Sequence, residues 1–191
     1  MSDAATFFRE FIRSPLTTAS AFPSSKALSE QMVAPIPDRG EPIVVELGPG
    51  TGAFTEVIQS RLDGRGRHLA VELNPRLADV LAKRFPDVEV IVADAERLPE
   101  LLVDRGIAAD VVISGLPWAA YRGSLTEAVA TAMHPAGVFT QFTYTWTRWA
   151  GPSKRQLAGF RRCFEEVVLT RTIWGNVPPA LVHVMRRPRH V

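Results

Sequence analysis

Apolar positions along the chain follow two spacings beyond about residue 40. Short apolar and β-branched runs predict buried strands, and spacings of three and four residues between these runs predict amphipathic helices. The predicted strands are 43–47, 68–72, 88–92, 111–114, 138–144, 167–173 and 181–185. Asn74 with Pro75, and Ser124, have the residue types that begin helices, and a further helix is predicted from Pro152 to about Cys163.

Alternation of strands with helices predicts an α/β fold, in which a doubly wound, mostly parallel seven-stranded sheet carries helices on both faces. The last two predicted strands are separated only by residues 174–180. Because so short a connection cannot hold a crossover helix, these strands are predicted to form an antiparallel C-terminal hairpin at one edge.

Residues 1–40 have a different pattern and predict an N-terminal helical extension to a core domain at 41–191. One apolar stripe comprises Phe7, Phe8, Phe11 and Ile12, and a second, shorter helix carries Leu28 and Met32. Such a stripe can pack on the sheet, cover a ligand cleft or lie in a membrane interface. Packing is the most common of these arrangements, and the roles of lid and membrane contact stay open.

Charge is unevenly distributed, although the formal net charge is only +2. Residues 41–144 carry nine basic and 14 acidic side chains, a balance of −5, whereas residues 145–191 carry nine basic and two acidic side chains, a balance of +7. A basic C-terminal quarter predicts contact with phosphate, on a membrane surface or on nucleic acid. A solvated helix with a basic tail is the alternative interpretation.

Composition excludes several classes of protein. The single cysteine, Cys163, excludes an intramolecular disulfide and a cysteine-based zinc site, and we expect no metal. No uncharged apolar run approaches the ~18 residues of a membrane span, and the first residues lack a signal-peptide pattern. We therefore expect a cytoplasmic protein, with peripheral contact at the inner face of the membrane left open.

Three glycines, Gly48, Gly50 and Gly52, follow the first predicted strand directly. They permit close approach of a ligand to the backbone and a tight entry into a helix. Carboxylates lie at the ends of the first three strands: Glu46, Glu72 and Asp94. A carboxylate after the second strand suits ribose hydroxyls. The predicted cofactor-binding positions are Glu46, Gly48, Pro49, Gly50, Thr51, Gly52, Glu72, Leu73, Asp94, Ala95, Ser114, Gly115 and Leu116.

Two cofactors compete for this loop. Gly48-x-Gly50-x-x-Ala53 fits the looser dinucleotide pattern, but a pyrophosphate prefers a helix N-terminus without a nearby carboxylate, and Glu46 begins the loop. A carboxylate suits a cationic ligand. The adenosine-bearing cation is S-adenosyl-L-methionine, which the sequence therefore favours.

These motifs resemble those of a known family. "ELGPGTG" (46–52), "VEL" (71–73), "ADAERL" (93–98) and the closing hairpin resemble class I S-adenosylmethionine-dependent methyltransferases, which have a Rossmann-like fold, over about residues 41–191. "AFPSSKAL" (21–28), "SGLPW" (114–118), "QFTY" (141–144) and "NVPPALV" (176–182) are similar to bacterial phospholipid N-methyltransferases, relatives of ribosomal RNA adenine dimethylases. The resemblance implies N-methylation of phosphatidylethanolamine at its ethanolamine headgroup.

The loop after the fourth predicted strand departs from both groups. Adenine dimethylases carry Asn-Leu/Ile-Pro-Tyr/Phe there, whereas this chain has Gly115-Leu116-Pro117-Trp118, which counts against RNA. Trp118 also replaces the aliphatic residue expected in the phospholipid enzymes. Aromatic faces stabilise a protonated or methylated amine by roughly 0.5–2 kcal/mol each. Trp118, Tyr121 and Tyr144 are therefore the candidate catalytic residues of an acceptor pocket, and capping of the core is the alternative for any single ring.

Other methyl acceptors stay open, and so does a function without catalysis. An amine of a small soluble metabolite and an adenine in RNA are the alternative acceptors, and a cofactor-binding module without turnover is the alternative to an enzyme. The sequence presents no convincing general base. His68 and His183 lie within predicted strands, and His134 lies at a helix end, so all three are expected to be structural.

Overall fold

The computed structural model describes residues 25–117, 124–147 and 151–189. The strands are β1 (Ile43–Leu47), β2 (Arg67–Glu72), β3 (Glu89–Val92), β4 (Ala109–Ser114), β5 (Met133–Tyr144), β6 (Phe164–Leu169) and β7 (Ala180–Pro188). The helices are α1 (Lys26–Val33), α2 (Ala53–Leu62), α3 (Pro75–Arg84), α4 (Leu98–Val103), α5 (Leu125–Ala132) and α6 (Gly151–Cys163). Short 3₁₀ turns occupy Ala95–Arg97 and Thr145–Thr147.

All seven strands form one sheet in the order β3-β2-β1-β4-β5-β7-β6. The first five pair in parallel, whereas β7 is antiparallel to both β5 and β6. This confirms the predicted doubly wound α/β fold and its antiparallel hairpin. Since parallel strands end together, β1–β5 all end at one side of the sheet, here called the carboxyl edge. The connection from β6 to β7 lies at this edge too, because β6 runs in the same direction as β5.

The core lies on both faces of the sheet because alternate residues of a strand point in opposite directions. Val45 and Val112 belong to the apolar cluster that includes Phe160 of α6, together with residues of α4 and α5. Their neighbours Val44 and Val111 belong to the cluster beneath α1 and α2. The layers therefore stack as helix, sheet and helix.

Helix α1 packs on the core through the buried side chains of Leu28 and Met32. Ser25 caps it, accepting a hydrogen bond from the Leu28 amide at 3.2 Å. The Thr140 hydroxyl of β5 donates to the Met32 carbonyl at 3.0 Å, which fixes α1 over that strand. Residues 7–12, with the first apolar stripe, lie outside the described residues, and the division of the chain at residue 40 stays a prediction.

One helix was missed and the bounds of two strands were predicted wrongly. Helix α4 was not predicted, because six residues are too few to show a period. Strand β5 begins at Met133 rather than at residue 138, since an irregularity in its pairing with β4 separates Met133 from Val138. Strand β6 ends at Leu169. Beyond it the Thr170 hydroxyl accepts from the Val182 amide at 2.9 Å, and Ile173 makes an isolated bridge to Ala180.

Candidate active site

The glycine loop between β1 and α2 occupies the middle of the carboxyl edge. The Gly48 amide donates to the Val71 carbonyl of β2 at 2.9 Å, and the Gly115 amide donates to the Leu47 carbonyl at 2.9 Å. Gly48 has a φ of 66° and Gly52 a φ of 91°, in the left-handed region that favours glycine. The predicted glycine positions thus join three strand ends.

Close backbone contact explains why two of these positions are glycine. A Cβ atom on Gly115 would lie 2.9 Å from the Gly48 carbonyl oxygen, and one on Gly48 would collide with the Leu116 side chain. A Cβ atom on Gly50, by contrast, would have no atom within 4 Å. The loops after β1 and β4 therefore touch each other, and the tip of the glycine loop faces open space.

Glu72 ends β2 and binds the glycine loop. Its Oε2 accepts from the Gly50 amide at 3.1 Å, and its Oε1 accepts from the Asn74 amide at 2.9 Å. The side chain is largely buried. Because each carboxylate oxygen has a second lone pair, Glu72 can accept further hydrogen bonds while it holds the loop.

Asp94 lies one strand away from Glu72, after the end of β3. The Ala93 amide donates to the Glu72 carbonyl at 3.2 Å, which ties the two strand ends together. Asp94 is exposed, and its Oδ1 accepts from the Glu96 amide at 3.0 Å. Ala95 is half-buried beside it. The structure thus brings Glu72 and Asp94 to the same part of the edge, as the spacing predicted.

Glu46 is placed differently, with its side chain buried between β1, β2 and α2. Its Oε2 accepts from the Thr55 hydroxyl at 2.7 Å, and His68 Nε2 lies 3.3 Å from the same oxygen. Gln59 Nε2 lies 2.9 Å from His68 Nδ1, which favours the tautomer with its proton on Nε2, facing Glu46. Glu46 Oε1 has no hydrogen-bond partner among the described residues.

Helix α3 supports the loop from behind, which the sequence analysis missed. Arg84 donates to the Thr51 carbonyl at 3.0 Å and to Glu56 at 2.6 Å, while its guanidinium lies 4.8 Å from the centre of the Phe85 ring. A Cβ atom on Gly52 would lie 2.7 Å from that ring. An exposed arginine on a helix carries no sequence signal for a partner so far along the chain.

The loop after β4 is held by two buried polar side chains. Ser114 Oγ accepts from the Leu116 amide at 3.2 Å. Gln141 of β5, paired in register with Ser114, donates through Nε2 to the Leu116 carbonyl at 2.9 Å and to the Phe142 carbonyl at 2.9 Å. Gln141 thus holds the loop after β4, a contact that the sequence does not indicate although the residue begins the "QFTY" motif (141–144).

Aromatic rings extend from the glycine loop to the end of β5. The Phe54 and Phe142 centroids lie 6.0 Å apart, and those of Phe142 and Tyr144 lie 5.5 Å apart, edge to face. Burial raises the pKa of the Tyr144 phenol. Tyr144 thus lies at the carboxyl edge beside the loop after β4. The other two predicted acceptor residues, Trp118 and Tyr121, lie outside the described residues.

Strand direction divides the basic C-terminal quarter between the two ends of the sheet. Lys154 and Arg155 lie near the start of α6 and Arg171 follows β6, all toward the carboxyl edge. Five others lie toward the opposite end, namely Arg161, Arg162, Arg186, Arg187 and Arg189. Contact of this basic quarter with phosphate stays a prediction, and its described cations are divided between the two ends of the sheet.

Metal-binding clusters and membrane-spanning helices are both absent from the described residues. No three His, Cys, Asp or Glu side chains come together there in a group that could hold a metal ion. No helix in the same residues has both the length and the apolar character needed to cross a bilayer. Burial raises the pKa of the Cys163 thiol, so this cysteine is not an activated nucleophile.

The sequence is similar to those of known methyltransferases. A family model described as "Methyltransferase domain" matches residues 44–137. The ornithine lipid N-methyltransferase of Singulisphaera acidiphila is 33% identical over 197 residues, which cover 97% of each chain. The ribosomal RNA small subunit methyltransferase A of Acidobacterium capsulatum is 34% identical over 97 residues, covering 49% of this chain and 33% of that protein.

Among solved structures, human methyltransferase-like protein 13 in complex with SAH superposes with a TM-score of 0.65. It is 20% identical and covers 83% of this chain and 81% of its own. At this identity the likeness shows the fold alone. The match to the lipid enzyme extends along almost the whole chain, whereas the match to the ribosomal RNA enzyme covers about half of it.

Proposed function

Because the chain belongs to the class I S-adenosylmethionine-dependent methyltransferases, we propose that it transfers a methyl group to the amine of a membrane lipid. The observation that carries the lipid acceptor is the 33% identity, over 97% of both chains, to an ornithine lipid N-methyltransferase. Two acceptors follow: the phospholipid ethanolamine headgroup implied by the motifs, and the lipid named in the relative. Each presents an amine at a membrane surface, so peripheral attachment there is part of the proposal.

The residues of the carboxyl edge fit the methyl donor. When bound, S-adenosylmethionine would supply a methyl carbon for in-line attack by an amine nitrogen, with the thioether sulfur as the leaving group. Glu72 has lone pairs left for ribose hydroxyls, and Asp94 with Ala95 is placed for the adenine edge. Glu46 Oε1, buried without a partner among the described residues, suits the ammonium group of the donor. The open side of Gly50 leaves room beside the loop.

The residues of the acceptor side position an amine and exclude water. Good alignment alone lowers such a barrier by several kcal/mol, up to about 7–11. Tyr144 is not a general base at neutral pH, because burial raises its pKa and keeps the phenol protonated. The amine would therefore lose its proton to water before transfer, and the positive charge that develops on the nitrogen as the methyl group arrives would contact the rings around Tyr144. Residues 1–40 are proposed to act as a lid or as a membrane contact.

A transfer assay with labelled donor tests the acceptor. The protein is incubated separately with ethanolamine phospholipid vesicles, ornithine lipid vesicles, a small-molecule extract and RNA, and the label in each product is counted. We expect label in one or both lipids. Label confined to the extract or to RNA would overturn the lipid proposal, and label in none of them would favour a module without turnover.

A pair of glycine variants provides the control. Gly48→Ala should lower transfer sharply, because Gly48 has a φ of 66° and the new Cβ atom would displace the Leu116 side chain at the site. Gly64 has a similar backbone, with a φ of 76°, and a Cβ atom there would meet nothing within 4 Å. Gly64→Ala therefore carries the same kind of strain away from the site, and its transfer should match that of the wild type once both are folded.

A further inference from the structure

Three apolar side chains are exposed together at the carboxyl edge. Trp146 is 68% exposed, Trp174 77% and Val177 68%, and we call them the tryptophan rim. Among the described residues the only other large apolar side chains so exposed are aliphatic ones. Exposed tryptophan in this number needs an explanation, because a cluster of exposed apolar side chains commonly marks an interaction surface.

Backbone pairing brings the members of the rim to one place. The Thr145 amide donates to the Pro179 carbonyl at 2.9 Å, so Trp146 follows a residue joined to the β6–β7 connection. Ile173, which precedes Trp174, is bridged to Ala180, and Ala180 pairs with Tyr144. The backbones of the two tryptophans are thus separated by about two strand spacings, roughly 10 Å.

Asn176 makes this surface rigid and connects it to α1. Its side chain is buried, accepts from the Ser25 amide at 2.9 Å and donates to the Pro178 carbonyl at 2.7 Å. Trp174 and Val177 are therefore carried by a loop that is hydrogen-bonded next to the first turn of α1. A fixed apolar surface can meet a partner without the loss of conformational entropy that a mobile loop would suffer.

Cations surround the rim, and carboxylates are scarce. Lys26 follows Ser25, Arg171 precedes Ile173 by two residues, and Lys154 and Arg155 lie near the start of α6; all four are exposed. No Asp or Glu occurs in residues 128–164 or 167–191. Among the described ion pairs Lys26 has one weak partner, Glu30, at 3.8 Å. Positive charge beside indole rings matches an anionic bilayer, where tryptophan occupies the interface and Lys and Arg meet the headgroups.

We propose that the tryptophan rim is the surface through which the protein docks on an anionic lipid bilayer. This rests on the proposed function, because the bilayer is where a lipid acceptor resides. Trp146 is only two residues from Tyr144, so docking through the rim brings the headgroup region to the acceptor side of the site. The carboxylates over β2 and β3 then lie at the part of the edge away from the rim.

Sedimentation with vesicles tests the docking surface. Wild-type protein should bind vesicles that contain phosphatidylglycerol, bind pure phosphatidylcholine vesicles weakly, and lose binding as salt is added. Trp146→Ala with Trp174→Ala should lower the partition coefficient at least about tenfold. The matched control is Val80→Ser with Val103→Ser, which removes two exposed apolar side chains away from the rim and should leave binding unchanged. Equal binding by the rim variant and the wild type overturns the proposal.

Removal of positive charge at one end of the sheet or the other gives an independent test. Lys154→Gln, Arg155→Gln and Arg171→Gln together should weaken binding severalfold, because they remove cations beside the rim. Arg161→Gln, Arg186→Gln and Arg189→Gln remove the same charge from the opposite end and should weaken it much less. If the second set weakens binding as much as the first, net charge rather than the rim binds the bilayer, and the proposal fails.

Conservative variants protect the test against misfolding. Trp146→Phe with Trp174→Phe keeps apolar rings, so it should still sediment, but the quenching of tryptophan fluorescence by brominated lipid should fall sharply. Undiminished quenching in this variant would place other tryptophans in the bilayer and contradict the proposal. Transfer to detergent-dispersed lipid separates the two proposals: activity without vesicle binding refutes docking alone, and vesicle binding without any lipid methylation refutes the proposed acceptor alone.

Discussion

The two halves of the carboxyl edge differ in chemistry. Over β1–β3 it carries glycines and the carboxylates of Glu72 and Asp94, with Glu46 buried between β1, β2 and α2, whereas over β5–β7 it carries aromatic rings and cations. The halves meet where the chain reverses its order in the sheet, between β1 and β4, and there Gly48 touches Gly115. Ligands of doubly wound sheets bind at such a reversal. One half thus suits a cationic adenosyl donor and the other an amine at a lipid surface.

The largest effect is expected from a change in the half of the edge over β1–β3, here called the acidic half. Glu72→Ala removes a carboxylate that holds the Gly50 amide and is proposed to bind ribose. Hydrogen bonds to a charged group are each worth about 1.5–3 kcal/mol, so the dissociation constant of S-adenosylmethionine should rise roughly 10- to 100-fold. The KM of the acceptor should be unchanged. Calorimetric titration of the donor measures the first value, and steady-state kinetics at saturating donor the second.

Glu100→Ala is the matched control for that variant. Glu100 is an exposed carboxylate that pairs with Arg97 at 3.0 Å on the same side of the molecule. Its loss should leave the donor affinity unchanged, because an exposed ion pair contributes at most about 1 kcal/mol to stability. Unaltered donor affinity in Glu72→Ala would remove the proposed role of the acidic half.

The placement of the glycines, Glu72 and Asp94 at the carboxyl edge could be predicted from the sequence because its signals are local, and their role in binding stays a prediction. Strands β1, β2 and β4 are buried on both faces, so they appear as short continuous apolar runs, and the positions that follow them carry the ligand-binding candidates. Gly48 and Gly52 need a left-handed backbone, which depends on the residues next to them. The direction of the Glu46 side chain was the exception. Its position between Val45 and Leu47 turns it toward α2, where it bonds to Thr55.

The other half was predicted poorly because its contacts are long-range. Gln141 donates to a carbonyl 25 residues earlier in the chain, and Asn176 accepts from Ser25 across 151 residues. No periodicity indicates such partners. The distribution of the basic quarter could not be predicted for a similar reason: residues close in sequence lie at opposite ends of the sheet when a helix and a hairpin reverse the chain between them.

The next largest effect comes from a change in the half of the edge over β5–β7, which should impair the positioning of the acceptor and leave donor binding unaltered. Gln141→Ala releases the Leu116 carbonyl and leaves it and the Phe142 carbonyl short of a donor. The value of kcat/KM for the acceptor should fall about tenfold, corresponding to about 1.4 kcal/mol of lost positioning. Donor affinity should stay within about twofold.

Gln156→Ala controls for the loss of a buried glutamine. Gln156 of α6 is also buried, and its Nε2 has no partner among the described residues. Its replacement should alter the thermal melting of the protein but not the ratio of acceptor to donor effects. If Gln141→Ala changes the donor Kd as much as the acceptor kinetics, the two halves of the edge are not separate.

A smaller effect concerns Tyr144. Trimming its ring in Tyr144→Ala should lower acceptor turnover about 2- to 30-fold, the equivalent of roughly 0.5–2 kcal/mol of cation–π contact. Tyr144→Phe keeps the ring and should retain most activity. Because burial raises the pKa of the phenol, it stays protonated to about pH 10 and beyond, so pH–rate profiles of the wild type and Tyr144→Phe should coincide from about pH 6 to about pH 10. A basic limb lost in Tyr144→Phe would contradict this.

The smallest effect is expected from a residue outside both halves. It shows how far a loss of stability alone changes donor affinity and acceptor kinetics. Glu89 begins β3 at the opposite end of the sheet. Burial alone would raise its pKa, but hydrogen bonds from Arg105 and Arg67 outweigh that and lower the pKa from its ordinary value. A lowered pKa contributes stability that is present above the unfolded pKa, about 4.3, and is lost as the pH falls through the folded value.

Glu89→Gln should therefore be less stable than the wild type at pH 7 by no more than about 1 kcal/mol, since the pairs are partly exposed. The gap should close in urea titrations as the pH falls below about 4. Donor affinity and acceptor kinetics should both match the wild type, and a change in either would show that stability alone alters the site.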